Sequence, residues 1–198
     1  MLDPALRQSP MRAAKPGGRR GAPGATLVSL GERCHTGKLN LRAQADALAA
    51  MADVVGLALP TTPNTVTSDS VRCILWLGPD EWLIATPPGE EVALAARLYE
   101  ALAGRHAAIT DVTDGRTVMT LSGERARAVL AKGCGLDLHP RAFRAGQCAQ
   151  STLARASVIL HQTTDEPAYD IYVDRSVARY LWAWLEDASL EFGFVVAP

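Results

Sequence analysis

Val71-Arg72-Cys73-Ile74-Leu75-Trp76-Leu77-Gly78-Pro79-Asp80-Glu81-Trp82-Leu83-Ile84-Ala85-Thr86 is the stretch that decides the fold. Val71 to Leu77 is β-branched, apolar and aromatic, as a buried strand requires. Gly78-Pro79-Asp80 supplies the turn, and Trp82 to Thr86 is the return strand. Pro87-Pro88-Gly89 stops it, and Glu90 to Ala103 then reads as a helix. Acidic residues open that helix, and Leu94, Leu98 and Leu102 share one face. Hairpin followed by helix is therefore the unit of construction.

The same order returns at 148–188. Cys148 to Gln162 is strand-like and Tyr169 to Val173 alternates. Asp174 is placed to cap a helix from Arg175 to about Ala188, and Phe192 to Val196 is a last strand. Between the repeats, His106–Val112 and Arg116–Leu121 read as a strand pair turning at Asp114-Gly115. Gly123 to Lys132 reads as a helix and 133–147 as irregular chain. Upstream, Thr26–Leu30 and Lys38–Arg42 are strand candidates. Ala43 to Leu57 is a helix ended by Gly56 and Pro60, and 61–70 is a loop. Two hairpin–helix units, each followed by one more strand, predict an α+β fold. It consists of two split βαβ-type (ferredoxin-like) units with mixed or antiparallel sheet and helices on one side.

Residues 1–25 carry five basic side chains against Asp3 alone, so 5 − 1 = +4, and the total of −1 leaves −5 for the body. Pro4, Pro10, Pro16, Pro23 and Gly17-Gly18 oppose an amphipathic transit helix there, so this arm is expected to be disordered. Residues 26–198 are expected to form one α+β domain, or two lobes at 26–110 and 111–198. A slightly acidic body lacks the footprint of a nucleic-acid binder. No apolar run reaches the roughly 20 residues that span a bilayer, so neither nucleic acid nor membrane is an expected partner. Cys34, Cys73, Cys134 and Cys148 form no CxxC pair and read as reduced thiols of a cytoplasmic protein.

Chemistry is sparse at the level of motifs. GxGxxG and GxxxxGK[ST] are both absent, which argues against a nucleotide cofactor on this chain. Cys34-His35, His106, His139 and His161 lack the close pairing of zinc ligands. Buried thiols and surface histidines are the favoured reading over a site joining Cys134, His139 and Cys148. Ser122 is not in a nucleophile elbow, and Ser151 and Thr152 read as local hydrogen-bonding residues. Asp111 and Asp114 are placed as strand end and turn rather than as an acid–base pair. The aromatic residues say more. Trp76 and Trp82 lie on opposite arms of one hairpin, while Tyr180, Trp182 and Trp184 share a helix. Two residues apart, Trp182 and Trp184 face different sides, so one is expected in the core and the other at an interface. These five are the candidate interface residues; no catalytic, cofactor or metal residue is assigned.

Three stretches resemble the sarcosine oxidase gamma subunit family. They are Leu75 to Leu83, Lys132-Gly133-Cys134-Gly135-Leu136-Asp137-Leu138-His139-Pro140-Arg141-Ala142-Phe143 with Gly146-Gln147-Cys148, and Tyr169 to Ser176 running into Tyr180 to Leu185. A more distant likeness, through Asp111 to Arg116 and Leu121 to Leu130, is to the folate-binding domain of the aminomethyltransferase of glycine cleavage. Where that family uses an acidic residue, Thr152 to Val158 holds none. The resemblance implies a non-catalytic gamma subunit in a heterotetramer with alpha, beta and delta subunits. That enzyme oxidises sarcosine to glycine and peroxide, the one-carbon unit passing to tetrahydrofolate or leaving as formaldehyde. FAD, FMN and NAD are implied on the larger subunits and zinc on delta, with no cofactor on this chain. The alternatives are an autonomous folate-dependent transferase and an RNA-linked adaptor. The missing carboxylate opposes the first and the acidic body the second.

Overall fold

The computed structural model describes residues 7–11 and 18–197. They form two compact units. One spans 35–114; the other takes residues 7–11 and 18–34 together with 115–197.

The first unit contains β3 (Gly37–Ala43), α1 (Leu48–Val55), β4 (Val66–Ser68), β5 (Cys73–Gly78), β6 (Glu81–Thr86), α2 (Glu91–Ala101) and β7 (Ala107–Asp111). Its sheet has the order β4-β5-β6-β3-β7, antiparallel at every pairing. Without the short edge strand β4, the chain order β3-α1-β5-β6-α2-β7 is the βαββαβ arrangement expected. Gly56, with φ of +80°, closes α1 by donating its N–H to Ala52 O, which explains why the helix stops there. Leu39, Leu41, Ile74, Trp82 and Ile84 meet Met51, Val55, Leu94 and Leu98 in the core. The strand β4 falls in a stretch read as loop, because Thr, Ser and Asn there mask a three-residue pairing with β5.

The second unit contains β1 (Arg19–Arg20), β2 (Val28–Glu32), β8 (Arg116–Ser122), α3 (Ala126–Ala131), β9 (Gln147–Leu153), β10 (Ala156–Thr164), β11 (Ala168–Asp174), α4 (Arg175–Ser189) and β12 (Phe194–Val196). The order of its seven-stranded sheet is β1-β12-β2-β8-β11-β10-β9. Only β12 with β2 is parallel, so the sheet is mixed. The repeat β8-α3-β10-β11-α4-β12 is again βαββαβ, with β2 inserted beside β8. Leu160, Ile171, Met119 and Leu121 pack under Leu181, Trp182 and Leu185 of α4.

Three expectations change. The strands flanking Asp114-Gly115 are not a hairpin: β7 pairs with β3, and β8 with β11 and β2. Each finds a five- or seven-residue ladder elsewhere, and the Asp-Gly step joins the two units instead. Second, the boundary falls at 114, and residues 28–32 join the later unit because β2 fills the gap between β12 and β8. Third, part of the basic arm is held. Residues 1–6 and 12–17 of it lie outside the described residues. Of the rest, Met11 is buried in the core, and Arg19–Arg20 pairs with Phe194–Val195. Arg20 adds an ion pair to Glu186 at 2.7 Å and lies 5.9 Å above the Phe194 ring, which explains why a basic dipeptide is ordered there.

Candidate interface and the polar row of the larger sheet

The five candidate aromatics separate by packing. Trp76 and Trp82 are direct cross-strand partners on β5 and β6. Trp82 is fully buried, and its indole N–H donates to Pro60 O at 2.8 Å, so nothing of it is left for a partner. Trp76 is half-buried. On α4, Trp182 is buried in the core, with its indole nitrogen unpaired among the described residues. Trp184 is partly buried against the same cluster, and Tyr180 is 50% exposed. The 100° turn per residue thus splits the two tryptophans between core and rim.

Trp184 has a partner that composition does not reveal. A Cβ on Gly133 would lie 2.6 Å from its ring and 3.1 Å from the Ala154 nitrogen. Only glycine lets Lys132-Gly133-Cys134 pass under the indole. The Gly133 carbonyl accepts from Ala154 N–H at 3.0 Å, and the Tyr180 hydroxyl donates to Ala154 O. Ala154 and Arg155 form the two-residue turn between β9 and β10, with φ of +49° and +70°. Two non-glycine residues in the left-handed region cost roughly 1–2 kcal/mol each. No Gly, Asn or Asp marks this turn, so 148–162 reads as one continuous strand region. The segment 152–158, where a carboxylate is absent, is the tip of that hairpin.

Asp174 does not cap α4 through its side chain; it ion-pairs with Arg116, its cross-strand partner, at 3.3 Å. That pair helps line a cleft of about 210 Å³ with Gln150, Ser157, Ile159 and Tyr172. Ordinary ligand sites hold roughly 300–1,000 Å³, so this cleft is too small for a flavin nucleotide.

Two residues further along the strands, on the same face, a polar row crosses the sheet. Cys148 pairs with His161, His161 with Asp170, Asp170 with Thr120, and Thr120 with Gly31. Arg33 clamps Asp170, its Nε lying 2.9 and 3.0 Å from the two carboxylate oxygens. His161 is buried, contrary to its expected surface position, and its Nδ1 has no partner among the described residues. Burial lowers its pKa below the ordinary value; Asp170 opposes that shift and Arg33 reinforces it. His161 lies in the run Val158–Gln162, every position of which is buried, so both sides of β10 are covered there. Of the other residues weighed, Cys134 and Cys148 are buried while His139 is exposed. Cys134 Sγ lies 3.7 Å from Ser151 Oγ. Asp111 Oδ1 accepts from Thr113 N–H at 2.9 Å, and Asp111 and Asp114 are both exposed. Among the described residues, no group of three or more Cys, His, Asp or Glu could hold a metal ion, and no helix is long and apolar enough to cross a membrane.

Comparison with known proteins bears on the same elements. The profile of the sarcosine oxidase, gamma subunit family matches residues 41–191. Sarcosine oxidase subunit gamma of Corynebacterium sp. strain P-1 is 41% identical over 145 residues, covering 73% of this chain and 70% of the relative. Among solved structures, a chain of the heterotetrameric sarcosine oxidase from Corynebacterium sp. U-96, in complex with pyrrole 2-carboxylate, is similar at a TM-score of 0.83. That chain is 35% identical, with 94% of this chain and 96% of that one covered. The glycine cleavage system aminomethyltransferase T from Bartonella henselae gives 0.65 at 16% identity, over 87% of this chain and 48% of that one. At that identity the second likeness is one of fold alone.

Proposed function

The chain belongs to the sarcosine oxidase gamma subunit family, and from that premise we propose that it is a non-catalytic subunit of a heterotetrameric sarcosine oxidase. Its partners are the alpha, beta and delta subunits. The complex oxidises sarcosine to glycine and peroxide, and the one-carbon unit passes to tetrahydrofolate or leaves as formaldehyde. FAD, FMN and NAD belong to the larger subunits and zinc to delta, and this chain contributes burial and position rather than a reacting group. The observation that carries the reading is the end-to-end likeness to a chain of the assembled enzyme from Corynebacterium sp. U-96. The hairpin tip at 152–158 agrees: it holds no Asp or Glu in the segment where the resemblance to the folate-dependent transferase implies a carboxylate. Within the chain, Tyr180 and Trp184 are the interface candidates left with exposed surface on α4, and half-buried Trp76 is the one on β5.

The test is purification with and without partners. Alone, the chain is expected to be colourless and to release no peroxide from sarcosine. Co-expressed with the other three subunits, it is expected to elute with them as one complex with oxidase activity. Bound flavin or turnover by the isolated chain would overturn the reading, and so would failure to enter the complex.

A further inference from the structure

Within α4 itself the charges run against the helix dipole, Asp174 at the N-cap being the acidic exception. Arg175 and Arg179 occupy the N-terminal half, Glu186 and Asp187 the C-terminal half. The first turn holds no acidic residue and the last no basic one. A dipole with a positive N-terminus disfavours that order. Arg175 is engaged, donating to Gln8 O at 2.5 Å, and Glu186 is paired with Arg20. Arg179 is exposed, and its guanidinium has no partner among the described residues.

A second cation without a partner among the described residues lies on the hairpin tip that Tyr180 ties to the same helix. Arg155 is exposed at the hairpin tip, in a left-handed conformation. The Tyr180 hydroxyl, on the next residue after Arg179, ties that tip to the helix by donating to Ala154 O. Around the pair, Tyr180 is 50% and Val177 36% exposed. Two free arginines flanking an exposed tyrosine and an aliphatic residue have the composition of a binding hot spot. They also form a positive patch on a body whose net charge is −5, from −1 for the chain less +4 for residues 1–25. The reversed charge order disfavours the free helix, and carboxylates approaching from outside offset it.

We propose that Arg155, Val177, Arg179 and Tyr180 form the surface on which this chain docks against a carboxylate-bearing face of another subunit of the oxidase. This rests on the function proposed above. A nucleic acid is the less favoured occupant, because two arginines on a body of net charge −5 lack the basic stripe that a polyanion requires.

Charge reversal separates the possibilities. Arg155→Glu with Arg179→Glu, and the milder Arg155→Gln with Arg179→Gln, are made in the co-expressed complex. Arg125→Glu, exposed elsewhere on the same unit and paired with Glu124, is the control. The Glu pair is expected to lower affinity for the tagged partner subunits about tenfold or more at low salt, the Gln pair less, and the control not at all. The wild-type affinity is expected to fall with added salt more steeply than that of either double variant. Melting of the free chain is expected to hold or rise, since Glu replaces Arg near a helix N-terminus. If both double variants assemble like wild type at every salt concentration, this surface is not the dock, although the subunit assignment stands. If wild type itself fails to assemble, both readings fall. Co-purifying RNA that the Glu pair releases would replace the protein partner with a nucleic acid.

Discussion

The two units share one chain order and differ in how far each obeys its local rules. In the smaller unit the β5–β6 turn is Gly78-Pro79-Asp80, and the helix-facing side of its sheet is apolar through Leu39, Leu41, Ile74 and Ile84. The buried positions on the opposite side are apolar at Leu75 and Leu83 but also include Lys38, whose ammonium donates to Thr36 O. In the larger unit the β9–β10 turn is Ala154-Arg155, both left-handed, and the opposite side of the sheet buries His161 and Asp170. α4 carries its charges against its dipole. The same topology therefore accommodates buried polar groups in both units, with a left-handed non-glycine hairpin turn and reversed helix charges in the larger one. Where propensity, polarity and charge disagree with the fold, something besides folding is retaining those residues. Each prediction below compares a site in one unit with its counterpart in the other.

The largest effects belong to the buried tryptophans. Trp82→Ala and Trp182→Ala are each expected to cost about 3–5 kcal/mol of folding stability, because both sit in a core. Trp82 also leaves Pro60 O without its donor. Trp184→Ala is expected to cost less than half as much, since part of the ring already faces water. Urea melts of the three variants check the order. Equal losses at 182 and 184 would mean that α4 is packed on both sides and that the rim position is not one.

Next comes the glycine beneath Trp184. Gly133→Ala is expected to cost about 1–3 kcal/mol, as overpacking does where the new methyl meets a packed indole ring at 2.6 Å with backbone at 3.1 Å beside it. Gly56→Ala in the smaller unit meets no atom within 4 Å and strains only the left-handed cap, so about 1 kcal/mol is expected. Combining Gly133→Ala with Trp184→Ala separates the two contacts of Gly133. If the ring is the obstacle, the pair loses less than the sum of its parts. Full additivity would move the clash to Ala154.

How much of this was legible follows the same division. The hairpin at 71–86 and its helix were readable because Gly-Pro-Asp punctuates two apolar runs. So was the split between Trp182 and Trp184, which follows from helical geometry alone. The turn at 154–155 was not, because its residues carry no turn signal and tertiary bonds from Gly133 and Tyr180 hold them. Nor was the separation of β7 from β8. Asp114-Gly115 is a good hairpin turn, and only the ladders offered by β3 and β11 outcompete it. His161 was misplaced to the surface because an isolated histidine is read by its charge, whereas here the strand is covered on both sides from Val158 to Gln162. The exposed cations of the candidate dock are visible in the sequence only as ordinary arginines. Their meaning depends on the absence of partners, which requires coordinates.

A smaller effect is expected at the strained turn. Ala154→Asn keeps the side chain short and suits a left-handed residue, so it is expected to stabilise the free chain by about 1 kcal/mol. A comparable change at Asp80 in the smaller unit, where φ is not positive, is expected to gain nothing. Thermal melts of both variants measure the difference. Stabilisation at neither site would mean that the bonds to Gly133 and Tyr180 have already absorbed the strain.

The smallest effect is a slope with pH, again confined to the larger unit. His161 is held neutral in the fold, chiefly by burial, with the nearby Arg33 cation reinforcing and Asp170 opposing. Its pKa in the folded state therefore lies below the unfolded value of about 6.5. Between the two, the unfolded chain binds a proton that the folded chain refuses, so stability rises with pH across that window. The contribution is complete above about pH 6.5 and is lost as pH falls through the lowered native value. The measurement is urea stability of wild type and His161→Gln between pH 5 and 7.5, read as the difference between the two proteins. Glutamine keeps a polar group beside Cys148 and Asp170 without a titrating nitrogen. The difference is expected to favour wild type most at the top of the range and to shrink toward pH 5. A gap that stays constant would mean that the row from Cys148 to Thr120 shifts protons among its members rather than excluding one from His161.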